Sequence, residues 1–176
     1  MNSQPTLTVK LNEIVEALNG APEEIAYYLD KRAGEIILVT DEDMQAAEDD
    51  EPISEYPDWQ RESILKAREV LRDPDHFLQL PDQFDIHEYQ IMEDFCIQFE
   101  DRDIGRDLQR LIKGSGAFRR FKNAISELGV DDAWYKFKQH ALEEIAIAWL
   151  EKNQIPYTRD NEPDNIVDVW PTSAPN

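Results

Sequence analysis

The sequence holds a single cysteine, Cys96, among its 176 residues. One thiol excludes an intramolecular disulfide framework and a thiolate zinc site, and it fits a reducing compartment. Long apolar runs are also missing. The longest, "IILV" and "IAIAWL", fall far short of the roughly 20 residues that cross a bilayer. The opening "MNSQPTLTVK" has no apolar core of the kind a signal peptide needs. Together these absences lead us to expect a cytoplasmic protein that makes no membrane contact. No segment repeats at a fixed period, which argues against a solenoid. Bases are scarce as well: 18 Lys and Arg stand against 38 acids, a formal net charge of −20. That field repels phosphate backbones at long range and disfavours bulk, non-specific nucleic-acid binding. It leaves open a local basic patch, or an acidic surface that imitates nucleic acid.

What is present is enough for a core. Hydrophobic residues make up 41% of the chain and its aromatics are spread along it, and its length suits one domain, or a domain with a small N-terminal appendage. Leu11, Ile14, Val15 and Leu18 recur at helical spacing, with Gly20 as a left-handed stop. The apolar runs 25–29 and 36–39 flank "DKRAG", whose Gly34 can take the positive φ of a hairpin loop. Ile25, Tyr27 and Leu29 alternate on one strand, with Ile37 and Val39 as expected partners. Thr40 and Asp43 form a capping pair for a short acidic helix. Residues 41–51 carry seven acids and no base, the composition of a solvated surface or linker. Pro52 and Pro57 then break the chain, so the boundary between appendage and main domain is placed near 48–56.

Beyond the boundary the spacing reads as helices. Ile64, Ala67 and Leu71 share a face, and Pro74 ends that helix. "HFLQLPDQFD" reads as an extended connection, followed by an Asp85–Glu88 capping pair and a stripe of Tyr89, Met92, Phe95, Cys96 and Phe99. Ile104, Leu108 and Leu111 or Ile112 face inward on a short helix. Phe118, Phe121, Ile125 and Leu128 line the next, and Trp134, Phe137, Ala141, Ile145 and Ala148 the last. The fold expected is α+β and mostly helical: an N-terminal hairpin with small helices over 1–50, then about five helices over 51–157. Phe95, Phe99, Phe118, Phe121, Trp134 and Trp149 form the expected core. Residues 158–176 form a mobile tail in which Trp170 is the one docking candidate.

Catalytic signatures are absent. There is no Walker motif, GxSxG elbow or HExxH. His140 precedes Glu143 and Glu144, but neither His140 nor His87 follows a Glu by three residues as the di-iron pattern requires. His76 has Asp73 at that distance, with Pro74 between them arguing against a helical pair. No metal or cofactor is therefore expected, and Cys96 reads as a core residue.

Six of the eighteen bases fall between Arg106 and Lys122, around "KGSGAFRRFKNAI". The sequence Gly114-Ser115-Gly116 lets backbone N–H groups point outward where a helix dipole ends positive, and Lys113 adds charge beside it. Lys113, Gly114, Ser115, Gly116, Arg119, Arg120 and Lys122 are thus a candidate site for an anion or an acidic partner. The plainer alternative makes Ser115 a helix cap and the glycines joints between two helices. Tyr135 with Lys136 and Lys138 offers a second, edge-lying set of contacts of the kind that stacks bases, or an ordinary first turn of an amphipathic helix.

The stretches "LPDQFDIHEYQIMEDFC", "GSGAFRRFKNAI" and "WYKFKQHALEEIAIAWLEKNQIPY", in that order, resemble a bacterial family catalogued as an uncharacterised protein family, and "EEIAYYLDKRAGEIILVTDED" resembles its leading hairpin. The likeness covers roughly 9–47 and 76–157. In the family pattern Lys is usual at the position of Ser115 and Asp at that of Asn123, which weakens a role for Ser115 itself. The resemblance implies a small bacterial cytosolic protein and carries no activity with it. The leading expectation is a non-enzymatic binding or regulatory module with a protein partner, a homodimer among the arrangements it allows. The alternative is a nucleic-acid-associated protein or acidic mimic, and the third reading is an enzyme of unrecognised type.

Overall fold

A computed structural model describes residues 8–20 and 22–159. The expected docking of Trp170 lies outside the described residues. The chain is α+β and mostly helical, and its contacts divide it into two units. One unit runs up to Asp82 and resumes at Ala146; the other is 83–145. This division differs from the boundary expected near 48–56.

The reason lies in how the first unit is built. Strands β2 (Ile25–Asp30) and β3 (Glu35–Thr40) form the hairpin, turned through Gly34 at φ 74°. A third strand, β4 (Phe77–Gln79), pairs antiparallel with β2, giving the order β3-β2-β4. The "HFLQ" stretch expected as a connection is therefore part of the sheet. Three residues are too few to show alternation, so the pairing left no periodic signal. Helix α2 (Asp41–Glu48) starts as expected, with the Thr40 hydroxyl accepting the Asp43 N–H at 3.1 Å. It packs on α3 (Asp58–Arg72), which also packs on β3. Residues 41–51 are thus not simply a solvated linker. Asp43 is buried and accepts from the Gln60 amide at 3.1 Å, the partner that a buried carboxylate requires.

Register decides which side chains meet. Tyr27 stands opposite Leu38, Leu29 opposite Ile36, and Ala26 opposite Val39. Ile37 and Val39 therefore share a face with Tyr28 and Ala26, not with Ile25, Tyr27 and Leu29, which corrects the expected pairing by one residue. On that face Val39, Ala47, Ala67, Val70 and Phe77 form a buried cluster, with Tyr28, Ile37 and Met44 against it. Val70 turns inward on α3, leaving Leu71 exposed where it was expected inside. Helix α1 (Leu11–Asn19) buries the four residues expected of it, but Gly20 has φ −134° and is not a left-handed stop. A short parallel pair, β1 (Val9–Lys10) with β5 (Tyr157–Thr158), also belongs to this unit.

The second unit holds α4 (Gln83–Ile86), α5 (Glu88–Gln98), α6 (Arg102–Leu111), α7 (Ala117–Glu127) and the start of α8 (Asp131–Lys152). The Asp85–Glu88 pair does not cap α5. His87, left-handed at φ 51°, separates α4 from α5 instead. Phe95, Phe121 and Trp134 are buried together, their rings 4.8–6.0 Å apart and edge-on, with Phe99 and Phe137 against Phe95. Phe99 and Trp149 are only half-buried. Phe118 is exposed, a second departure from the expected core. Helix α7 turns its small residues Ala117 and Ala124 inward beside Phe121 and Ile125, which rotates Phe118 and Leu128 to the rim. In α8 Trp134 is buried as expected, while Leu142 takes the inward place expected of Ala141. Gly105 sets the spacing of α5 and α6: a Cβ there would lie 2.5 Å from the Cys96 carbonyl oxygen.

Candidate functional site

Helix α6 stops at Ile112, and the chain turns into α7 over residues 113–116. Gly114 (φ 82°) and Gly116 (φ 74°) occupy left-handed conformations that a side chain would strain, so the glycines are joints. Ser115 caps nothing: Gly116 is the N-cap, and no side chain accepts from the first turn of α7. The loop is held instead by Arg120. Its guanidinium donates to the Leu111, Ser115 and Lys113 carbonyls at 2.8, 2.6 and 2.8 Å. The fork answers exposed carbonyls at the negative end of α6, where a cation is favoured. Arg120 is thus a clamp, half-buried and engaged, rather than a cation open to a partner. Gly116 also leaves it room, since a Cβ there would come within 3.2 Å of Nη1.

Lys113, Arg119 and Lys122 remain exposed, and none forms an ion pair with another described residue. The neighbouring cations are paired: Arg106 with Asp103 at 3.5 Å and Arg110 with Asp107 at 3.1 Å. Over 104–126 Asp107 is the one acid against six bases. Apolar surface accompanies this charge. Phe118 is 43% exposed and meets Tyr89 edge-on at 6.5 Å, and the Tyr89 hydroxyl donates to the Ile112 carbonyl at 3.0 Å.

The second candidate set separates. Tyr135 and Lys136 are exposed on the first turns of α8, whereas the Lys138 ammonium is engaged by Glu88 at 2.7 Å. Tyr135, Lys136, Gln139, His140 and Glu143 line a shallow depression that α8 makes alone. His140 lies 3.5 Å from Glu144, one turn away. Asp73 and His76 do meet, at 2.6 Å, in the turn that Pro74 begins rather than on a helix. Among the described residues no three His, Cys, Asp or Glu side chains gather as metal ligands would. Among the same residues no helix is long and apolar enough to cross a membrane.

Sequence reasoning did not single out the groove beside the loop. Its volume is about 380 Å³, and Glu93 and Ile97 of α5 face Arg106, Gln109 and Arg110 of α6, with Ile112 and Lys113 at its end. The signal was available in the spacing. Positions 106, 109 and 110 are i, i+3 and i+4, one face of α6, and Lys113 follows in the loop.

The uncharacterised protein family UPF0158 matches residues 4–169, nearly the whole chain. The chain belongs to UPF0158. It is 22% identical over 162 residues to the UPF0158 protein PA5073 of Pseudomonas aeruginosa, a match spanning 92% of this chain and 93% of that protein. No solved structure matches it. In this UPF0158 chain, then, chemistry must be argued from its own residues, and the exposed cations of 104–126 are where charge and apolar surface coincide.

Proposed function

We propose that the chain is a non-enzymatic binding module whose face around the α6–α7 loop holds an acidic segment of a protein partner. The observation that carries this reading is the set Lys113, Arg119 and Lys122, exposed and without an ion pair among the described residues in a chain of net charge −20. In so acidic a molecule a cation has many available acids, and Arg106, Arg110 and Lys138 of the second unit have each taken one. Three that have not, next to the half-exposed Phe118, supply the mixture of aromatic and cationic groups that protein interfaces favour. The overall negative field repels carboxylates and phosphates alike, and it weighs more heavily against a nucleic acid, whose charge continues beyond the face at every nucleotide. Salt sensitivity of an exposed contact of this kind follows from screening.

The test is affinity capture with chemical cross-linking, using the tagged full chain and a Lys113→Ser/Arg119→Ser/Lys122→Ser variant. The reading expects a protein cross-linked to peptides of 106–127, resistant to nuclease and lost in the variant. Capture unchanged by the substitutions contradicts it. Capture abolished by nuclease favours direct nucleic-acid binding instead.

A further inference from the structure

We infer that the groove between α5 and α6 is a docking site for an acidic amphipathic helix, which seats a large apolar side chain over Ile97 and Ile112 while its carboxylates meet Arg106, Arg110 and Lys113. The inference rests on the reading of this face as a contact for an acidic protein and names the class of partner. Three features of the groove specify the occupant. The first is shape: Gly105 lets α6 approach the Cys96 carbonyl, so the two helices run close, and residues of both line the groove. Its volume of about 380 Å³ lies at the small end for ligand pockets, room for one or two large side chains rather than a cofactor. The second is its floor. Ile97 is 50% exposed although it lies on the helix that carries buried Phe95 and Cys96, and Ile112 continues the apolar surface inward. The third is charge: Arg106 and Arg110, one turn apart on α6, and Lys113 in the loop after it line the groove, against the single carboxylate of Glu93.

The pairs Arg106–Asp103 and Arg110–Asp107 do not lock those cations. Both are intrahelical, i,i+3 and highly exposed, a class of ion pair that contributes little and exchanges readily. A guanidinium released from either can take an incoming carboxylate through two parallel hydrogen bonds. No aromatic side chain lines the groove, so it offers no platform for stacking a base. Glu93 adds specificity: a carboxylate facing it is repelled, and the occupant must present its apolar or neutral face to α5 and its acids to α6. A helix with acids on one side and leucines on the other meets both demands, the arrangement of helix-in-groove recognition.

The test uses the full chain and three labelled probes read by fluorescence anisotropy: a synthetic helix of glutamates with leucines at i, i+3 and i+4 spacing, the same peptide with serines for the leucines, and a single-stranded oligonucleotide. The leucine peptide is expected to bind, and the serine peptide to bind at least about tenfold more weakly, a loss equal to about 1.4 kcal/mol. Ile97→Asp, at an exposed position, and Arg110→Glu should each weaken the leucine peptide at least about tenfold, with circular dichroism showing both variants folded. Equal binding of the two peptides, or indifference to Ile97→Asp, overturns the groove while leaving the cationic face as a contact. Failure of both peptides, or tighter binding of the oligonucleotide, overturns the groove and the reading beneath it together.

Discussion

Arg120 shows how much a single side chain can change the meaning of a basic stretch. In the sequence it is one cation among several; in the fold its three hydrogen bonds to carbonyls make it the pin of the α6–α7 loop. Arg120→Lys keeps the charge and loses the fork, so it is expected to destabilise by about 1–3 kcal/mol, while Arg119→Ser changes stability by about 0.5 kcal/mol or less, both read from urea midpoints. Equal effects would remove the distinction between clamp and open cation. The two phenylalanines of α7 divide in the same way. Phe121→Ala should cost about 3–5 kcal/mol through the cavity left beside Phe95 and Trp134, and Phe118→Ala, at the rim, much less. Gly105→Ala reverses the usual helix preference, since its methyl meets the Cys96 carbonyl. We expect about 1–3 kcal/mol of destabilisation where an open helical site would gain from alanine. Cys96 itself is buried, and burial pushes its thiol up to about 11, with Glu93 adding to the rise. The folded state therefore prefers the neutral thiol. Its contribution to stability is whole below the ordinary thiol value of 9.0 and is lost as pH rises toward 11. Thiol-reagent labelling in the native protein should accordingly track unfolding; immediate labelling without denaturant would contradict the burial.

Among the elements, the helices were legible in the sequence and the sheet only in part. A helix of nine or more residues repeats its apolar spacing more than once, enough to place α1, α3, α5, α6, α7 and α8. Spacing does not fix which residue of a stripe turns inward, because one position rotates a helix face by about 100°. Packing with small residues such as Ala117 and Ala124 then decides the outcome. The strands carry less information. The hairpin had Gly34 and two apolar runs to announce it, but a shift of one residue exchanges its faces, and β4 has three residues with no alternation to read. That missed strand has a consequence for cutting the chain. The hairpin pairs with β4 and packs on α3, so a chain beginning at Ser54 strips both of their partners. It is expected to lose the cooperative unfolding of the first unit, as followed by near-ultraviolet circular dichroism against denaturant. A chain so shortened that keeps a cooperative transition of unchanged midpoint would show the hairpin to be a separable appendage after all. His87 makes a smaller case at the junction of α4 and α5. With φ 51° it sits where glycine is at ease, and His87→Gly should stabilise by about 0.5–1 kcal/mol.

Across the whole molecule the informative quantity is where charge lies rather than how much there is. The net −20 was plain from composition, and so was the gathering of bases over 106–122. Which of those bases remain open was not, because ion pairing depends on side chains that only folding brings together. Lys138 is taken by Glu88, fifty residues away in sequence, and no local pattern foretells such a contact. What survives the pairing is a small cationic face, Lys113, Arg119 and Lys122, with a groove beside it. The claim that this face, and not the acidic helix α2, meets a protein partner is tested most directly by photo-cross-linking in cells. A photoreactive phenylalanine is placed at Lys122 in one chain and at Glu48 of α2 in another. The account predicts a discrete, nuclease-resistant protein adduct from position 122 and none from position 48. Adducts from position 48 alone, or adducts from position 122 that vanish with nuclease, would contradict it.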